Sequence, residues 1–220
     1  MALARISVLI SGRGSNLGAL IDAAQRGAID GAITQVVSNR AEAQGLDIAR
    51  AHGIATAVVD HRTHAERLRF DAALDEALAQ GEPDLVVLAG FMRVLGDAFV
   101  RKHEGRLVNV HPSLLPLYPG LNTHARALAD GVRVHGCTVH FVTPIVDVGP
   151  IIAQGAVPVL PDDDEARLAA RVLAVEHRVL PAAVAWICRG DVALVDGRVR
   201  FRDVPPDARA ALLSPPATRT

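Results

Sequence analysis

Strand-length apolar runs alternate with helical patterns through the first half of this chain, and that alternation constrains the fold more than any other feature. The runs lie at residues 4–10, 32–38, 54–59, 84–88 and 106–110, with helical patterns near 15–26, 42–52, 63–80 and 96–103 between them. A β-α-β-α order argues for an α/β, Rossmann-like, mostly parallel sheet with helices on both faces. Two further runs, Val134–Val142 and Ile151–Pro158, are flanked by Pro/Gly turns with no helix between them. They read as an antiparallel extension of the sheet. Asp162-Asp-Asp-Glu165 then opens a long helix to about Cys188, its acids placed where the helix dipole favours them. Leu168, Val172, Val175 and Val179 are its expected buried stripe. Val192–Val195 and Arg198–Phe201 flank Asp196-Gly197, the sequence of a type I′ hairpin. Residues 1–203 are expected to form a single domain and 204–220, which lack a periodic pattern, a flexible tail.

Composition narrows the function classes. A formal net charge of −1 over 220 residues gives no broad attraction to nucleic acid or to an anionic membrane. No stretch approaches the ~20 apolar residues of a membrane span. The N-terminal run leads straight into Ser11-Gly-Arg-Gly and reads as a first buried strand rather than a signal peptide. Cys137 and Cys188 lack zinc spacing and read as reduced thiols of a cytoplasmic protein. Lys102 is the only lysine, which excludes a Gly-Lys-Ser/Thr phosphate loop.

The chemistry gathers in turns that follow parallel strands, and so at the carboxyl edge of the sheet, where such folds bind ligands. Ser11-Gly-Arg-Gly-Ser-Asn16 joins the first strand to the first helix. Its glycines permit close backbone approach, and the free N–H groups of a helix start attract phosphate. Leu17 stands where a dinucleotide fingerprint needs a third glycine, and Val37-Ser-Asn-Arg40 lacks the acid that holds a ribose. The reading is a small phosphate site, set beside a plain strand-helix turn with Ser15 as N-cap. Ala89-Gly-Phe-Met-Arg-Val-Leu95 offers apolar walls and backbone groups for a flat heterocycle, although Met92 and Leu95 equally fit plain core.

In the third turn Asn109 and His111 share one face of a strand that runs into Pro112-Ser-Leu-Leu-Pro-Leu-Tyr-Pro-Gly120. An amide and an imidazole side by side suit oxyanion stabilisation and proton transfer; a capping Asn and a packed His are the plainer alternative. Asp147 lies in a loop between apolar strands, where it either shapes an Asx turn or favours the imidazolium of His111.

Taken in order, Ser11-Gly-Arg-Gly-Ser-Asn16, Leu88-Ala-Gly-Phe-Met-Arg-Val-Leu95, Asn109-Val-His-Pro-Ser-Leu-Leu-Pro116, Tyr118-Pro-Gly120, His135-Gly-Cys-Thr-Val-His-Phe-Val142 and Asp147-Val-Gly-Pro150 resemble the folate-dependent phosphoribosylglycinamide formyltransferases, also called glycinamide ribonucleotide transformylases. The resemblance runs from about residue 4 to about 190 and departs at Leu117, Asn122 and Val148. It implies the formyltransferase fold and transfer of formyl from 10-formyltetrahydrofolate, a co-substrate, to the amine of glycinamide ribonucleotide in purine synthesis, without a metal. It puts the catalytic set on Asn109, His111 and Asp147, and the ribonucleotide contacts on Gly14, Ser15, Asn16 and Glu176. Folate contacts fall on Met92, Arg93, Val94, Leu95 and Asn109, with an arginine at Arg67 in a segment where Arg62 and Arg69 also stand. It assigns His140 no role. The protein is expected to be a monomer or homodimer that binds neither nucleic acid nor membrane.

The rival readings are a formyl-folate hydrolase, a formyltransferase acting on charged initiator transfer RNA, an NADP oxidoreductase using Arg40, and a non-enzymatic nucleotide-binding module. The hydrolases usually carry an extra N-terminal domain, and the transfer-RNA enzymes a basic C-terminal one.

Overall fold

The computed structural model describes residues 3–202. Its main sheet has seven strands in the order β3-β2-β1-β4-β5-β6-β7. These are β1 (Ala4–Ile10), β2 (Gly31–Ser38), β3 (Ala55–Val58), β4 (Leu85–Leu88), β5 (Leu107–His111), β6 (Val134–Phe141) and β7 (Ile151–Pro158). Pairings among β1 to β5 are parallel, while β5–β6 and β6–β7 are antiparallel. The chain reverses its winding between β1 and β4, so a crevice opens above the carboxyl ends of these strands.

The helices are α1 (Ser15–Gln25), α2 (Gly45–Ala51), α3 (Arg67–Ala79), α4 (Asp97–Lys102), α5 (Thr123–Ala129) and α6 (Glu165–Cys188). Two apolar clusters cover the two faces of the sheet. One gathers Ile6, Val8, Ile10, Leu17, Leu20 and Leu168; the other gathers Leu9, Val37, Phe70, Leu74, Leu88 and Phe99. Successive residues of β1 therefore point to opposite cores, as burial on both faces requires. A hairpin of β8 (Val192–Val195) and β9 (Arg198–Phe201) lies beyond α6.

Several local expectations are corrected. The helix expected from residue 63 starts at Arg67, because Asp60 accepts the Arg62 N–H at 2.9 Å and caps a separate 3-10 turn, His61–Thr63. Ser15 does not cap α1: Gly14 does, in the left-handed region at φ 78°, and no side chain takes up the helix's first N–H groups. Helix α5 was not expected at all. In α6, Val175 and Val179 are only half-buried, and they pack against Gly155 of β7. The fully covered stripe is Leu168, Val172, Glu176, Leu180 and Val184. Asp164 rather than Asp162 begins the helix, accepting the Arg167 N–H at 2.8 Å. The expected tail, 204–220, lies outside the described residues. Among the described residues no helix is long and apolar enough to cross a membrane, and no cluster of side chains suits a metal ion.

Candidate active site

A cavity of about 660 Å³ opens at the carboxyl edge of β4 and β5. Its walls include Leu88, Phe91, Leu95, Val100 and Val142, and its polar floor is Asn109, His111, His140 and Asp147. That size and mainly apolar lining match sites for small organic ligands. Met92, Arg93, Val94 and Leu95 line it.

The three polar groups singled out in the sequence meet here. His111 Nδ1 lies 3.4 Å from Asp147 Oδ2, and His111 Nε2 donates to the Tyr118 carbonyl at 2.9 Å. Both ring nitrogens face acceptors, an arrangement that only the imidazolium satisfies fully. Asp147 is held by the proline-rich turn that follows β5: Oδ2 accepts the Gly120 N–H at 2.8 Å, and the Asp147 backbone sits in the left-handed region at φ 56°. Aspartate tolerates that region better than most side chains.

His140 orders the remaining partner. The antiparallel register sets it directly opposite Asn109. Its Nδ1–H donates to the Phe141 carbonyl at 2.9 Å, which leaves Nε2 as an acceptor for the Asn109 amide at 3.2 Å. Burial lowers the His140 pKa, which preserves this neutral form. One Asn109 N–H is thereby engaged and the other remains for a ligand. His140 Nε2 also lies 3.9 Å from Asp147 Oδ1, so it touches two members of the set.

The proline-rich turn is held from the antiparallel strands. Thr138 on β6 donates to the Ser113 carbonyl at 2.7 Å and accepts the Leu115 N–H at 3.0 Å. Gln154 on β7 donates to the Leu115 carbonyl at 2.8 Å. Neither residue was singled out in the sequence. Their signal was a polar side chain within a largely apolar strand.

The remaining expected contacts lie outside this cavity. Asn16 donates to Glu176 at 2.6 Å, and both are buried. Burial raises the Glu176 pKa, opposed by the Asn16 hydrogen bond. Gly14 and Ser15 sit at the start of α1, where Gly14 abuts Gly45 of α2 closely enough to exclude a side chain. Arg67 is the clearest departure. It is exposed on the first turn of α3, beside Asp71 and Gly96, and does not line the cavity. In the 3-10 turn before α3, the Arg62 guanidinium donates to Asp60 and Glu42.

Behind the floor lies His135, 1% exposed, its ring edge-on to those of Tyr118 and His124. Neither ring nitrogen makes a well-formed hydrogen bond, and burial, only weakly opposed by the Pro112 backbone, pushes its pKa down from 6.5 to about 4. The folded state holds the ring neutral while the unfolded chain protonates it near pH 6.5, so stability is lost as pH falls through this window. The shift corresponds to roughly 3 kcal/mol once pH reaches the folded-state value. Urea unfolding of wild type and His135→Phe at intervals from pH 7.5 to about 4.5 should show a shallower acid loss in the variant; parallel slopes would exclude this origin.

A mostly parallel α/β sheet here brings an amide, an imidazole and a carboxylate to one cavity, groups of the kind that can steady an oxyanion and move a proton. The family model for formyl transferase matches residues 4–184, and the chain belongs to that family. Phosphoribosylglycinamide formyltransferase of Escherichia coli (strain K12) is 46% identical over 94% of this chain and 98% of its own length. The trifunctional purine biosynthetic protein adenosine-3 of Homo sapiens is 49% identical over 87% of this chain, which spans only 19% of that longer protein. Among solved structures, glycinamide ribonucleotide transformylase 1 from Symbiobacterium toebii is 46% identical, covers 92% of this chain and 95% of its own, and superposes with a TM-score of 0.89.

Proposed function

We propose that this chain transfers the formyl group of 10-formyltetrahydrofolate to the amine of glycinamide ribonucleotide, in purine synthesis. The observation that carries the reading is the convergence of Asn109, His111 and Asp147 on one apolar-walled cavity. The relatives covered nearly end to end bear the matching activity in their names. A cavity of about 660 Å³ has room for a pterin ring between the Met92–Leu95 turn and the Val142–Asp147 loop.

The neutral amine attacks the formyl carbon, forming a C–N bond and a tetrahedral oxyanion. The free N–H of Asn109 donates to that oxygen, and the imidazolium of His111 offsets its charge in a site walled by apolar side chains. The bond from carbon to the folate nitrogen then breaks, and that nitrogen takes up a proton from the His111 imidazolium, which regains it from Asp147 as the amine's proton is passed on. Asp147 receives the proton lost by the attacking amine, directly or through water, and keeps His111 charged. No covalent enzyme intermediate is involved, so holding both substrates together supplies much of the acceleration. The ribonucleotide phosphate is assigned to the uncapped start of α1 at Gly14, Ser15 and Asn16, with Glu176 contacting the same substrate. Nothing in this chemistry calls for nucleic acid or a membrane, and the cytoplasm is its expected setting.

An absorbance assay following conversion of formyl-folate to tetrahydrofolate tests the reading. Turnover should require glycinamide ribonucleotide. Equal release without it would mark a hydrolase, and no release under either condition would overturn the assignment.

A further inference from the structure

Ser11 joins the two turns assigned to the two substrates. It directly follows β1, opens the Ser11–Asn16 loop and is only 7% exposed. Its hydroxyl donates to Asn39 Oδ1 at 2.6 Å, and with that proton engaged its lone pairs accept the Met92 N–H at 2.7 Å. Met92 begins the turn that lines the cavity. Asn39, 1% exposed, fixes the far side of Ser11 and is itself tied to His61 at 3.2 Å. The other end of the same turn is held separately: the Gly96 N–H donates to buried Asp71 at 2.9 Å. The Met92–Gly96 turn thus hangs between two buried side chains, and only one of them belongs to the phosphate loop.

Resting on the substrate assignment above, we infer that Ser11 is a positioning residue that couples the sites, so that filling the phosphate loop tightens the folate turn. An anion at Gly14–Asn16 orders the loop whose first residue is Ser11, and the hydroxyl passes that order to the Met92 backbone. A second ligand then meets a turn whose ordering has already occurred, which is positive cooperativity without a change of shape. Coupling between sites typically amounts to about 5–150-fold in affinity.

Calorimetric titration of tetrahydrofolate, with and without saturating glycinamide ribonucleotide, tests this. Wild type should bind tetrahydrofolate at least about fivefold more tightly when the ribonucleotide is present. Ser11→Ala should bind each ligand yet show less than about a twofold effect of one on the other, while Ser11→Thr, which keeps the hydroxyl, should retain the coupling. Asp71→Ala should weaken tetrahydrofolate binding and leave the coupling intact; loss of coupling there too would assign it to the turn as a whole and overturn the Ser11 route. Hydrogen exchange on wild type needs no variant: ribonucleotide alone should slow exchange of the Met92 amide, and an unchanged rate would refute the inference. Wild type binding both ligands independently overturns the coupling alone, whereas wild type binding neither overturns the substrate assignment with it.

Discussion

Asp147→Asn is expected to lower kcat by about 10³-fold while leaving KM for each substrate within about twofold, a loss within the range of general acid–base catalysis. The substitution isolates charge from shape. Asparagine tolerates the left-handed backbone at φ 56°, and its carbonyl oxygen still accepts the Gly120 N–H now bound at 2.8 Å. What disappears is the negative charge 3.4 Å from His111 Nδ1 and the acceptor for the amine's proton. Steady-state rates across pH measure this directly. Near wild-type turnover at every pH would remove Asp147 from the mechanism, and a rise in KM with kcat intact would make it a binding residue.

Asn109→Ala should cost about 10²–10³ in kcat, the usual loss when a donor to an oxyanion is removed. The amide carries two N–H groups, and His140 Nε2 takes one of them at 3.2 Å, so the alanine variant also leaves His140 unpaired. Part of any fall in stability belongs to that orphaned nitrogen. Catalytic loss must therefore be read from kcat on folded protein, with thermal unfolding recorded beside it. A loss confined to KM would place Asn109 in ground-state binding of folate instead of transition-state stabilisation.

The layered sheet was readable because its central strands β1, β4 and β5 are buried on both faces over most of their length, which leaves continuous apolar runs in the sequence. Helix α5 was not readable. It is seven residues long, and it is entered through Asn122 in the left-handed region. Apolar spacing alone does not give the buried stripe of α6: Val175 and Val179 are apolar yet only half-buried. The covered position between Val172 and Leu180 is Glu176, whose partner Asn16 lies 160 residues away. Asn109 and His111 could be set on one face from strand alternation alone, but His140 could not be given a task. Its role follows from the antiparallel pairing of β5 with β6 and from its own bond to the Phe141 carbonyl, neither of which leaves a mark in local sequence. Ser11 is similar: its hydroxyl meets Met92, 81 residues on, only because β1 and β4 lie side by side. The position of Arg67 relative to the cavity was not legible, because the 3-10 turn at His61–Thr63 that precedes α3 leaves no periodic pattern in the sequence.

A crystal structure of the protein with glycinamide ribonucleotide and a non-reactive formyl-folate analogue tests the central claim most directly. The account predicts the phosphate on the backbone N–H groups of Ser15 and Asn16, the pterin against Met92–Leu95, and the formyl oxygen within hydrogen-bond reach of Asn109 and His111. A formyl group facing away from those two side chains, or a phosphate bound anywhere but the start of α1, would contradict it.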